Sequence, residues 1–212
     1  MSISFPLTTV LSATSFADQN FQLISRQELS RQANGRTIGK DLGSAIWVAS
    51  YATIPMSNDD ALAYEALLDS LDGVVQTFEA YDLRRIYPRS DPTGASYNNG
   101  ALLSVNANNK ALALSGLIAG QVVSAGDYLS FTYGSSRALH KVAESVTANG
   151  SGVTAEFEVR PHLRTGWTIS PSTTVLLKAP RGIFALVPGS VSSKPNGPLH
   201  SVISFQAVQY LP

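Results

Sequence analysis

Apolar and polar positions alternate with a period of two through most of the chain, and the rhythm turns helical once. The clearest alternation runs from Ser44 to Ile54, where Ile46, Val48, Ser50, Ala52 and Ile54 fall on one face of a strand and Trp47, Ala49 and Tyr51 on the other. Pro55 closes it. Upstream, residues 21–25 and 28–32 alternate loosely, and Asn34-Gly35 predicts a hairpin turn after them. Residues 1–20 carry scattered apolar positions among small polar ones and predict an extended arm, its apolar residues clamped against a neighbour. The helical stretch opens at Ser57 or Asn58, either of which can cap it, and Asp59 and Asp60 suit the positive end of the helix dipole. Ala61, Leu62, Tyr64, Leu67, Leu68 and Leu71 recur at helical spacing and predict a face packed on a sheet, with Gly73 as a left-handed C-cap.

Residues 74–81 alternate again. Residues 87–100 are dense in Pro, Gly, Asn and Ser and mark a boundary or long loop. Beyond it come short strands at close spacing: 101–105, 111–115, 121–123, 128–133, 138–146, 153–159 and 174–178, with turns at 125–127, 134–136, 149–152 and 165–166. That spacing predicts a small barrel or sandwich. Two closing strands, 183–188 and 199–210, follow, and the last is expected to pair back onto the N-terminal sheet. The expected fold is mainly β. One domain spans 1–97 and 181–212, with a sandwich or barrel sheet, one packed helix and the N-terminal arm. The other, 98–180, is a small antiparallel β-barrel.

Composition sharpens this. Charged residues are 14% of the 212, against roughly 25% in ordinary soluble domains, while hydrophobic residues are 44%. Ser, Thr, Asn, Gln and Gly take the place of charge, which suits a β-rich chain with much of its surface against other subunits. Fifteen basic and fifteen acidic residues cancel, and no tract of five or more Lys or Arg gives a nucleic-acid or anionic-membrane footprint. No Cys means no disulfide frame, thiolate metal site or Cys nucleophile. Met1–Pro6 lacks the basic and long apolar regions of a signal peptide, and no run of about 18 apolar residues suggests a membrane span.

Candidate chemistry is sparse. His140, His162 and His200 lack metal-ligand spacing, and His140 sits in an apolar strand as a hydrogen-bonded wall residue. GxSxG, Walker A and GxGxxG patterns are absent. Glu156 and Glu158 share a strand face and would serve glycoside hydrolysis only if they lined a cleft. Alternation with Ala155, Phe157 and Val159 favours a solvated strand face instead. Asn149-Gly-Ser151 fits the glycosylation pattern but reads as a turn, as does Gly150-Ser-Gly152. Trp47 is expected in the core, and Trp167, more exposed, is the candidate saccharide platform. No catalytic, cofactor-binding or metal residue is assigned, and no enzyme activity is expected.

Two ordered sets of segments resemble the distal tail proteins of long-tailed, siphovirus-like bacteriophages and gene transfer agents. The first runs from Trp47 to Tyr87: a Trp-bearing strand, Ile54-Pro-Met56, a helix ending Leu71-Asp-Gly73, then a strand with Phe78. The second is Val123-Ser-Ala-Gly-Asp-Tyr-Leu129, Ala138-Leu-His-Lys-Val142, Val146-Thr-Ala-Asn-Gly-Ser-Gly152 and Glu158-Val-Arg-Pro-His-Leu-Arg164. Lys178-Ala-Pro-Arg-Gly-Ile-Phe184 and Ser201-Val-Ile-Ser-Phe205 complete it. Each piece is weak alone; their succession over most of the chain is more specific, and the first forty residues match little. The resemblance implies a virion structural protein of the tail tip or baseplate, assembled in the host cytoplasm. It implies a hexameric ring joining the tail tube protein to the tail hub, tape-measure and receptor-binding parts, with a bore for DNA. It implies no cofactor, no specific nucleic-acid binding and no membrane insertion. Other readings are a different tail hub or tube component, or a monomeric carbohydrate-binding module using Trp167.

Overall fold

The computed structural model describes residues 3–133, 136–164 and 173–211. In chain order the elements of the first half are β1 (Phe16–Ile24), β2 (Gln27–Arg31), β3 (Thr37–Asp41), β4 (Ile46–Thr53), β5 (Met56–Ser57), α1 (Asn58–Asp69) and β6 (Thr77–Ala80). Then come β7 (Gly100–Val105), β8 (Ala111–Ser115), β9 (Val122–Val123), β10 (Tyr128–Tyr133), β11 (Ser136–Val142), β12 (Val146–Thr147), β13 (Phe157–Arg160) and β14 (Thr174–Leu176). The chain closes with β15 (Gly182–Leu186), β16 (Ser192–Pro195) and β17 (His200–Gln209).

The fold is mainly β, with one helix and a closed six-stranded antiparallel barrel. Strands β1-β4-β17-β15-β6 form the larger sheet, and β16 and β5 both pair with β17. The last strand does return to the N-terminal sheet: Ser204 lies opposite Ala52 and Val208 opposite Val48. The barrel runs β10-β11-β13-β8-β7-β14 and closes where Phe131 meets Val175.

Two apolar cores result. On β4 the alternation predicted from sequence is realised, since Trp47, Ala49, Tyr51 and Thr53 are buried and their neighbours only half so. Helix α1 lies on that buried face through Ala61, Tyr64 and Leu68. Ser57 caps it by accepting the Asp60 N–H at 3.1 Å, and its last turn passes through Ser70 to left-handed Asp72 and Gly73. The second core fills the barrel with Leu112, Leu114, Leu129, Phe131, Phe157, Val159 and Val175.

Several expectations change. The N-terminal arm is not an extended strap awaiting a neighbour: Leu7, Val10 and Leu11 are buried in this chain's own core, and β1 already begins at Phe16. Leu62 points outward, 63% exposed, because the helix buries a narrower stripe than its apolar residues suggest. Val74 and Val75 lie in the turn after the helix, 51% and 70% exposed, and the strand starts only at Thr77. Strand 138–146 divides into β11 and β12, strand 153–159 shortens to β13, and β4 stops before exposed Ile54. Strand β16 had no expectation behind it.

Candidate assembly surface

The larger sheet has two unlike edges. At one end Leu7 covers β6: its N–H donates to the Thr77 carbonyl at 2.9 Å and its carbonyl accepts from the Glu79 N–H at 2.8 Å. At the other end β1, nine residues long, pairs with β4 on one side and with no described strand on the other. A long open edge offers a row of unpaired backbone donors and acceptors that natural sheets pair or cover.

The sheet's two faces differ as much. Helix α1 and the barrel residues Tyr128 and Leu139 share the cluster formed by Trp47, Tyr51 and Phe205, so both lie against the same face. Across the opposite face the strand register sets out rows of Asp18, Ala52 and Ser204, then Asn20, Ser50 and Gln206, then Gln22, Val48 and Val208. Asp18 is the one charged residue in those rows. The face is thus largely small, polar-uncharged and apolar, unlike a solvated sheet rich in Lys and Glu.

From the end of this sheet β2 and β3 project as a separate two-stranded ribbon turned at Asn34-Gly35, where Gly35 takes φ 81°. Every residue from 24 to 44 is exposed. Register places Leu29 opposite Gly39 and Ile38 opposite Ser30, so the two large apolar side chains sit on opposite faces of the ribbon. They are 69% and 44% exposed, with Leu42 at 53%. A lone hairpin is marginal in water, and no described element of this chain covers this one.

Sheet and barrel are joined by polar contacts around an aromatic cluster. The Trp47 indole stacks on Phe21 at 5.2 Å, meets Tyr128 at 5.5 Å, and donates Nε1–H to the Leu139 carbonyl at 2.8 Å. Buried Glu79 accepts from Arg137 and, at 2.7 Å, from Arg181. Asp82 accepts from Gln19, Tyr128 and Arg84. Burial alone raises the Asp82 carboxyl, but the hydrogen bonds from Arg84 and Tyr128 outweigh it and hold it below the usual carboxylate range. Burial and the neighbouring Asp82 push the Tyr128 hydroxyl well above the usual phenol range.

The residues singled out by sequence fall elsewhere. His140 is buried on β11, stacked on Phe131 at 5.5 Å, with Nδ1 2.8 Å from the Pro161 carbonyl. Its Nε2 has no partner among the described residues, where the expected hydrogen-bonded wall residue is satisfied on one nitrogen only. His162 is exposed beside a cleft of about 320 Å³ lined also by Arg26, Asp41 and Arg160, and His200 is exposed at the start of β17. Glu156 is exposed and accepts from Ser104 at 3.2 Å, while Glu158 pairs with Arg160 at 2.7 Å. Neither carboxylate lines a described cavity with the other, and Phe157 between them is buried, the pattern of a solvated strand face. Asn149 uses its side-chain oxygen to accept from Ser151 N–H and Val153 N–H, a turn. Trp167 lies outside the described residues. The bare ribbon had a faint signal in sequence: between 24 and 44 the large apolar residues stand singly, too far apart to build a core.

No protein-family model matches the chain, and no curated protein matches it either.

Proposed function

We propose that this chain is a virion structural protein of a bacteriophage tail tip, a distal tail protein that assembles through the larger sheet into a hexameric ring. The ring joins the tail tube to the hub, tape-measure and receptor-binding parts and leaves a bore through which DNA passes. The observation that carries the reading is the unfinished state of the sheet, with β1 open along nine residues while the far edge is already capped by Leu7. One open edge and one closed edge suit a directional, head-to-tail contact, and such contacts form a ring when the rotation between copies closes. The face across β1, β4 and β17, where Asp18 and, on neighbouring β16, Lys194 are the charges, supports the bore, since DNA slides best past a wall that offers it few cations to hold. The ordered likeness to distal tail proteins, from Trp47 to Phe205, points the same way.

The test is the mass of the purified chain by light scattering over a concentration series, with negative-stain images of the same sample. Six-subunit particles with a central hole are expected. A monomer of 22.5 kDa at every concentration, with no ring formed on added tail tubes, overturns the reading.

A further inference from the structure

The chain's net charge is zero, but the charge is not evenly spread. Residues 26–41, the ribbon and its base, hold Arg26, Arg31, Arg36 and Lys40 against only Glu28 and Asp41. Residues 58–73, helix α1 and its end, hold Asp59, Asp60, Glu65, Asp69 and Asp72 and no basic residue at all. The ribbon's four cations make no ion pair with the helix or with any other described residue. The two segments also leave from opposite ends of β4, so one chain does not bring them together.

Shape matches charge. The outward face of α1 carries Leu62, Ala63 and Ala66, all exposed, between Asp59 and Asp69. Beside it runs a groove of about 420 Å³ lined by Ala13, Thr14, Met56, Asp60, Tyr64 and Leu67 among others. The ribbon supplies what that groove lacks, an apolar projection (Leu29 on one face, Ile38 on the other) on a segment with four cations against two acids.

We propose that the β2–β3 ribbon of one copy docks on the acidic, apolar-centred surface of helix α1 in a second copy of this chain. The inference rests on the ring reading above and names a contact that would hold the ring. Opposite charges at the rim steer and orient the approach, while the apolar side chains in the groove give up their exposure to water. The contact is heterologous, so each copy donates one ribbon and receives one.

Three full-length variants test it beside the wild type: Arg31→Glu with Arg36→Glu and Lys40→Glu on the ribbon; Asp59→Lys with Glu65→Lys and Asp69→Lys on the helix; and both sets in one chain. The substituted positions are exposed or half-exposed, and circular dichroism checks that each variant folds. Sedimentation velocity reads the assembly. Each single set is expected to weaken association by at least about tenfold, as expected for juxtaposed like charges, and the combined set to restore it. A ring that both single sets leave intact, or that the combined set fails to restore, overturns the docking while the ring reading stands. A wild type that stays monomeric at every concentration and forms no ring on added tail tubes overturns both.

Discussion

Replacing Trp47 by Phe tests whether sheet and barrel are held by the contact that joins them. The substitution keeps an aromatic ring against Phe21 and Tyr128 but deletes the Nε1–H that reaches Leu139 at 2.8 Å. Both groups are buried, Trp47 and Leu139 each at 1% exposure, so no water replaces the donor. An orphaned buried carbonyl costs about 1–3 kcal/mol, and the smaller ring adds about 1 kcal/mol of lost packing. The expected loss is about 3 kcal/mol. For a chain of this size the urea dependence is about 2–3 kcal/mol per molar, so the midpoint should fall by about 1 M. Far-UV circular dichroism during urea unfolding reads this at a single protein concentration below the onset of assembly. A midpoint within about 0.2 M of wild type, near 0.5 kcal/mol on the same slope, would refute the reasoning.

His140 gives a pH prediction whose sign is fixed by burial, which pushes its folded-state value down from 6.5 to about 4. The unfolded chain therefore takes the proton first, and stability is full above pH 6.5 and falls as the pH drops toward about 4. By pH 4.5 the loss should be about 2–3 kcal/mol, and urea titrations of His140→Asn should show a correspondingly shallower pH dependence; equal slopes in the two proteins would count against it. In the 149–152 turn, Gly152 has φ 72° and a Cβ there would fall on the Leu117 carbonyl oxygen, whereas a Cβ on Gly150 meets nothing within 4 Å. Gly152→Ala should cost more than about 2 kcal/mol and Gly150→Ala less than about 0.5, and thermal melts that rank the pair the other way would contradict this.

Local patterning carried much of the architecture. On β4 every second residue meets the core, and the period of two sets Trp47, Ala49 and Tyr51 on one face, so the strand's two faces are legible in the sequence alone. The cap at Ser57, the acidic first turn and the Asn34-Gly35 turn are legible for the same reason: each is settled by residues a few positions apart. What stays hidden depends on distant partners. Leu7 is buried because it bridges to Phe78 across the chain, and nothing within residues 1–20 announces that. Strand β16 reads Ser-Ser-Lys-Pro and owes its conformation to pairing with β17 rather than to any apolar residue of its own. Val74 and Val75 mislead in the opposite sense, having strand propensity in a turn where no neighbour strand reaches them. The open edge, the sparsely charged face and the charge separation between ribbon and helix need the sheet order, since each joins residues far apart in sequence.

The chain leaves the larger sheet at Ala80 and comes back at Gly182, and those two residues are direct partners on neighbouring strands. A tight turn could therefore join β6 to β15 with the sheet order unchanged, so in terms of descent the barrel occupies a place where a lineage can gain or lose a module by a single insertion or deletion. The aromatic cluster sets a condition on that exchange. Phe21 and Trp47 are covered in part by Tyr128 and Leu139, which belong to the barrel. A descendant without the barrel would expose two large aromatic rings on its sheet, so deletion and polar replacement at positions 21 and 47 should travel together through the lineage's history.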